Sequence, residues 1–238
     1  MDIFNCYTID FETTGIDPKT CEPVEVAVVE GSGKYQQQLI KPNNPIPPET
    51  SAVHHITDID VVNAPSWESV KKLLADYLTT SPGAPLPVLV AHNAEYERTI
   101  LGDFVPVLWV CTYKCALRVW PDAPAHKNEV LRYWLGLGTN RGRSNDQHPH
   151  SALHDAEVTF LLLQELLKHA TLQQLIEWTD QPAKLPHMPM GKHYKQPWHE
   201  IPAPYLTWCI NQADMREDVK FCATEELKRR RNATQGPR

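Results

Sequence analysis

Asp10-Phe11-Glu12-Thr13-Thr14-Gly15 closes the first strand-like run of this chain, and two of its residues are carboxylates one position apart. Residues 4–9, rich in β-branched and aromatic types, read as a strand. Alternate side chains of an extended segment share a face, so Asp10 and Glu12 point the same way. Two like charges that close resist joint ionisation unless a cation lies between them. Hard oxygen donors of this kind suit Mg²⁺ or Mn²⁺. Thr13, Thr14 and Gly15 add hydroxyls, backbone N–H groups and a turn. An acidic pair at a strand end is also an ordinary solvated turn, so the remaining segments have to discriminate.

Two later segments carry the same kind of residue at the ends of regular elements. Val88-Leu89-Val90-Ala91 is wholly apolar, as in a buried central strand, and His92-Asn93-Ala94-Glu95-Tyr96-Glu97 follows it. Asn93 suits the N-cap of a helix over residues 94–101 and lies four residues before Glu97, on one helical face. A glutamate in a first turn is also common for its interaction with the helix dipole. His148-Pro149-His150-Ser151-Ala152-Leu153-His154-Asp155 leads into a strong helical pattern over residues 151–169. His150 precedes that helix and Asp155 sits in its first turns. His154 adjoins Asp155 and is expected to point about 100° away from it. His148 lies further back, in the polar loop 136–149.

Taken together, DFETTG, AHNAEYE and HSALHD resemble, in order and spacing, the three motifs of the DEDDh 3′→5′ exonucleases, the family of polymerase proofreading subunits. The resemblance covers roughly residues 4–178. It implies an α/β architecture, a ribonuclease H-like mixed β-sheet flanked by helices. Residues 44–57, 110–121 and 190–208 look like the exodeoxyribonuclease X branch of that family and its phage members. They share a terminal module of the form GK-aromatic-K … P-x-x-Y-L-x-W. By position, the resemblance makes Asp10, Glu12, Glu97 and Asp155 the ligands of two Mg²⁺ or Mn²⁺ ions and His150 the general base. Thr13, Thr14 and Gly15 would line the terminal-nucleotide pocket, with His54 and Asn93 as further substrate contacts. Phe11 is either a base-stacking residue or, from its opposite strand face, a core residue. One departure stands out. The family's second motif usually ends Phe-Asp, where this chain has Tyr96-Glu97.

The implied activity is hydrolysis of DNA from a 3′ end, single-stranded or frayed, with release of 5′-mononucleotides. Two alternatives stay open: an RNA-trimming 3′→5′ exonuclease, and a catalytically weakened nucleic-acid-binding protein, for which only Glu97 speaks. Repair, phage DNA processing and proofreading are all compatible with the sequence. A homodimer also stays open, because no interface pattern is legible.

Composition sets outer bounds. The 238 residues allow one sizeable domain and a small one. No apolar run approaches the ~18 residues that would cross a membrane, and the N-terminus lacks the pattern of a secretory signal. The six cysteines form no zinc pattern and read as free thiols, which makes the cytoplasm the expected compartment. Net charge is −6, but it is uneven: residues 183–238 hold 10 Lys+Arg against 6 Asp+Glu, a net of +4.

The expected organisation is an exonuclease domain over residues 1–180, a Pro-rich linker over 181–189 and a small basic and aromatic module over 190–238. Strands are expected at 23–30, 34–40 and 108–111, and helices at 66–78, 112–119, 128–135, 171–178 and 216–231. In the module, Lys192 and Lys195 are expected to contact DNA, and Tyr205 and Trp208 to sit in its core. The Lys228-Arg229-Arg230-Arg231 cluster is either a phosphate anchor or a soluble tail.

Overall fold

The structure is a computed structural model and describes residues 3–79, 83–138 and 150–234. Five strands form one sheet: β1 (Cys6–Thr13), β2 (Pro23–Glu30), β3 (Tyr35–Leu39), β4 (Val88–Ala91) and β5 (Leu108–Cys111). Their spatial order is β3-β2-β1-β4-β5. The first three pair antiparallel, and β4 and β5 add in parallel to β1. The sheet is therefore mixed, as expected. β1 begins at Cys6, after a 3₁₀ turn at Ile3–Asn5, and continues through Thr13. Asp10 and Glu12 thus lie inside the strand rather than beyond its end.

Alternation along β1 decides what each face receives. Ile9 and Phe11 point to one side, where they pack with Val26, Val28, Leu89 and Ala91 against α3 (Trp67–Leu78) and α4 (Glu95–Leu101). Phe11 is buried with its ring edge-on to Trp67, the centroids 5.6 Å apart. It is a core residue and has no face free for a base. Side chains of this kind contribute about 3–5 kcal/mol. α3 buries Val70, Leu74 and Leu78, an i, i+4, i+8 stripe, and leaves Leu73 in water.

The opposite face takes Cys6, Thr8, Asp10 and Glu12 toward α7 (Ala152–Leu166). Thr8 fixes the approach, its hydroxyl donating to the Ala156 carbonyl at 3.0 Å. Around it pack α5 (Thr112–Val119), α6 (Asn128–Trp134) and α8 (Leu172–Asp180), with Leu131, Leu162, Leu163, Leu166 and Leu175 fully enclosed. α1 (Pro48–His54) and α2 (Asp58–Val61) lie in the connection from β3 to α3.

Residues 181–189 are not a free tether. Ala183, Leu185 and Met188 are buried with Trp198, Ile201, Leu206 and Cys222 in a separate core that also receives Leu117 of α5. The module consists of α9 (Ala203–Asn211), α10 (Glu217–Thr234) and two 3₁₀ turns, Gly191–His193 and Trp198–Glu200. Trp198 is its buried tryptophan; Trp208, expected inside, is 48% exposed. The terminal basic cluster is partly structural. The Arg230 guanidinium donates to the carbonyls of Trp198, His199 and Ile201, and Arg229 and Arg230 both pair with Glu226. Among the described residues no helix is long and apolar enough to cross a membrane, and all six cysteines are free.

Candidate active site

β1 and α7, far apart in sequence, bring three carboxylates together. Asp10, Glu12 and Asp155 each offer an oxygen, and the three atoms lie within 4.8 Å of one another. All three side chains are half-buried. Burial, then the neighbouring charges of Asp155, Glu12, Glu97 and Glu25, holds the Asp10 carboxyl well above its ordinary range. Burial, with Asp155 and Glu25, pushes Glu12 up to about 8. Asp155 is also raised by burial, against the opposing pull of His154 and His150. No lysine or arginine ion pair to these three occurs among the described residues.

Glu97 sits on α4, on the neighbouring element. It is 4% exposed, its Oε2 has no partner among the described residues, and burial pushes it up to about 8. It stands outside the 4.8 Å group, although its charge reaches Asp10. A buried carboxylate oxygen without a donor beside three crowded carboxylates suits a hard divalent cation, which would satisfy all of them.

His150 lies at the mouth in a left-handed backbone conformation (φ 66°), its side chain exposed and its backbone N–H donating to Asp155 Oδ2 at 3.2 Å. His148 falls outside the described residues. His54 is buried; its Nδ1 accepts from the Ile56 N–H at 3.0 Å, which places the ring proton on Nε2. Burial lowers its pKa, with the Thr13 carbonyl opposing, so the ring is neutral.

The hydroxyls of the 13–15 turn are already engaged. Thr13 Oγ1 bonds the Gly15 carbonyl and the Tyr96 hydroxyl, both at 2.7 Å, and Thr14 Oγ1 accepts from the Glu22 N–H at 2.9 Å. The Tyr96 hydroxyl also lies 3.0 Å from Gly15 O, so the two hydroxyl protons are shared among these three contacts. The tyrosine that replaces the family's phenylalanine therefore braces this turn. Asn93 does not cap the helix: its φ is 74°, and α4 starts two residues later behind Ala94. Asn93 instead lines an open cavity of about 930 Å³ with His92, Tyr113 and Asn128 on one side and residues 216–218 on the other. Lys192 and Lys195 are exposed on the module.

Three supports escaped the sequence. Glu25 is buried in β2 directly across from Glu12, and its Oε2 accepts the Ala152 N–H at 2.9 Å. It caps α7 from outside the helix, since Ser151 makes no side-chain cap. A glutamate amid Pro23-Val24-Val26-Ala27-Val28 was the legible signal, because a charge in a buried strand needs a purpose. Asn128 donates to the Asp155 carbonyl at 3.1 Å. Glu129, itself clamped by Arg132, bonds His154 Nε2 at 2.8 Å. His154 therefore does not simply turn away: it lies with Glu129 and Asp155 in a second group of atoms within 4.8 Å. Nothing in the local pattern of Glu129 pointed to this contact.

Glu25→Ala removes the acceptor for the helix that carries Asp155. We expect the cation concentration for half-maximal digestion to rise about 10–100-fold, the usual cost of losing an outer support. Glu25→Gln, which keeps an acceptor oxygen, should stay near the parent; equal losses in both variants would refute the capping role.

Comparison with known proteins now bears on this geometry. A family profile described as "Exonuclease" matches residues 8–163. The chain belongs to the exonuclease family. This exonuclease is 28% identical over 212 residues to Exodeoxyribonuclease 10 of Escherichia coli (strain K12), covering 87% of this chain and 90% of that protein. It is 27% identical over 175 residues to the exonuclease CP81 of Escherichia phage 186, covering 67% and 87% of the two chains. Its structure matches that of Exonuclease X in complex with 5′ overhanging duplex DNA at a TM-score of 0.61 and 29% identity, over 73% of this chain and 99% of the other. The nuclease domain of the DEDDh family member 3′hExo shares the fold at a TM-score of 0.55 and 18% identity. The expected ribonuclease H-like α/β fold and nuclease chemistry are thereby met.

Proposed function

We propose that this exonuclease hydrolyses DNA from the 3′ end and releases 5′-mononucleotides. The observation that carries this reading is the convergence of Asp10, Glu12 and Asp155 within 4.8 Å, with no lysine or arginine ion pair to them among the described residues. Divalent Mg²⁺ or Mn²⁺ ions, two in number, would be held by these three and by Glu97. When bound, such ions supply Lewis acidity to the scissile phosphate and to the attacking water. His150, exposed at the mouth, would take a proton from that water as the general base. His54 offers a neutral Nε2–H near Thr13, suited to a substrate oxygen. Tyr96 keeps the 13–15 turn in one conformation, so its backbone presents a preformed edge to the terminal nucleotide. Asn93 extends that edge into the adjoining cavity.

DNA is favoured as substrate because two relatives of 28–29% identity carry it in their names: an exodeoxyribonuclease, and Exonuclease X bound to DNA. In this reading residues 1–180 form the exonuclease unit and 190–238 the module, joined by 181–189, which packs rather than swings. Free thiols and the absence of a membrane-crossing helix among the described residues support the cytoplasm as its compartment.

A second reading, a weakened enzyme that chiefly binds, draws on the position of Glu97 outside the carboxylate group. Digestion of a 5′-labelled single-stranded DNA and its RNA counterpart, in Mg²⁺ or Mn²⁺, separates the cases. We expect a 3′-shortening ladder on DNA, slower shortening of RNA, and a Glu97→Asp variant at least as active as the parent. Faster digestion of RNA would overturn the substrate assignment. Cleavage by Glu97→Asp alone would show that the natural glutamate disables the site.

A further inference from the structure

The solvent face of the terminal module carries a row of rings that its own core covers only in part. α9 turns Leu206 and Cys209 inward, holds Tyr205 half-buried against that core as expected, and leaves Trp208, three residues on, outside. The His193 ring meets Tyr205 at 4.4 Å between centroids, and Tyr205 meets Trp208 at 5.3 Å and 38°. Three rings thus form a continuous row that ends in the half-exposed indole. Beside them Tyr194 is 58% exposed, with the Lys195 ammonium 5.3 Å from its ring centroid.

The turn that presents these groups is held firmly. Gly191 has φ 70° and packs so closely that a Cβ there would meet the Tyr205 hydroxyl at 2.9 Å. Lys195 has φ 63°, uncommon for a side-chain-bearing residue. Its N–H donates to Met188 O at 2.8 Å, and His193 Nδ1 bonds Gln196 Oε1 at 2.6 Å. Lys192 and Lys195 are exposed, and neither forms an ion pair among the described residues. Rings held in a preset row, with unpaired ammonium groups alongside, match an occupant with flat faces and a negative backbone. That is single-stranded nucleic acid, whose bases stack on aromatic side chains irrespective of sequence.

We propose that this face is a second nucleic-acid site, built apart from the carboxylate cluster, on which bases stack along Trp208, Tyr205 and His193 while Lys192 and Lys195 hold phosphates. It goes beyond the hydrolytic reading and can be tested without catalysis. The probe is fluorescein-labelled dT20, titrated in EDTA with the full chain carrying Asp10→Ala and read by anisotropy. Against that background Trp208→Ala should bind roughly 5–100-fold more weakly, the usual loss for one stacked base, while Trp208→Phe retains most of the affinity. Lys192→Ala with Lys195→Ala should flatten the dependence of log affinity on log salt by about 0.7 per lysine. Unchanged affinity and salt slope in these variants would overturn the site. So would equal losses in Trp208→Ala and Trp208→Phe with a lowered melting temperature, which would mark a structural tryptophan. A concentration-dependent dimer that Trp208→Ala dissolves at unchanged DNA affinity would assign the face to self-association instead. A failed digestion with intact stacking-dependent binding would refute the hydrolytic reading alone.

Discussion

Asp10→Ala is expected to reduce 3′ digestion of DNA by at least about 10²–10³-fold, the scale of losing a single group that stabilises transition-state charge. The loss should be larger than for any support residue, because Asp10 is the carboxylate that Asp155, Glu12, Glu97 and Glu25 all act upon. The same substitution should raise the melting temperature in EDTA. It deletes a buried carboxyl whose charge is opposed by every neighbour, so the fold loses a repulsion and no attractive partner. Gain of stability with loss of activity is the signature of a ligand site. A melting temperature that falls together with activity would mean instead that Asp10 supports the fold. Residual digestion within tenfold of the parent would remove it from the chemistry.

The second large effect concerns stability, pH and divalent cations. Glu12 and Glu97 are pushed up from an ordinary 4.5 to about 8, and Asp10 and Asp155 are raised as well. A folded-state carboxyl with a raised pKa binds a proton that the unfolded chain has released. Its penalty is absent below about pH 4.5 and grows as pH rises toward about 8. In chelator, the melting temperature should therefore fall between about pH 6.5 and pH 8; below 6.5 the imidazoles of His92, His54 and His126, whose pKa values burial lowers, act in the opposite sense. Glu226 works in the opposite sense, held down to about 2 by Arg229 and Arg230, but its contribution is lost only below pH 4.5, outside this window. Saturating Mg²⁺ or Mn²⁺ should remove the decline, since a cation favours the ionised ligands. At a hundred times Kd, binding adds about 2.7 kcal/mol, or ~5–10 °C for a chain of this size. Thermal melts across pH, with and without cation, check this. A pH-independent cation effect, or none, would contradict a site made of these four carboxylates.

Much of the site was legible because its residues are paired with regular elements. Period-two alternation put Asp10 and Glu12 on one face, and that face does meet α7. The wholly apolar run at 88–91 is the buried strand β4, between β1 and β5. Errors arose where local propensity met a tertiary demand. Asn93 has the composition of a cap, but a left-handed backbone at the end of β4 turns it to the cavity. Ser151 stands at the cap position of α7, yet the capping oxygen comes from Glu25, 127 residues before Ala152, whose N–H it accepts. No window along the chain contains both partners.

The sequence alone determined the order of the five strands and of the longer helices of the exonuclease unit, the three acidic segments and their family, since each rests on periodicity or on a motif read in series. Only the tertiary structure decided which elements meet. It closed Asp10, Glu12 and Asp155 into one group and left Glu97 beside it. It gave Phe11 to the core, exposed Trp208, and drew Ala183, Leu185 and Met188 into the module's interior. The physical reason is common to all of these. Burial and charge repulsion are properties of a three-dimensional neighbourhood, and a residue's type states what it can do there but not which neighbours it will find.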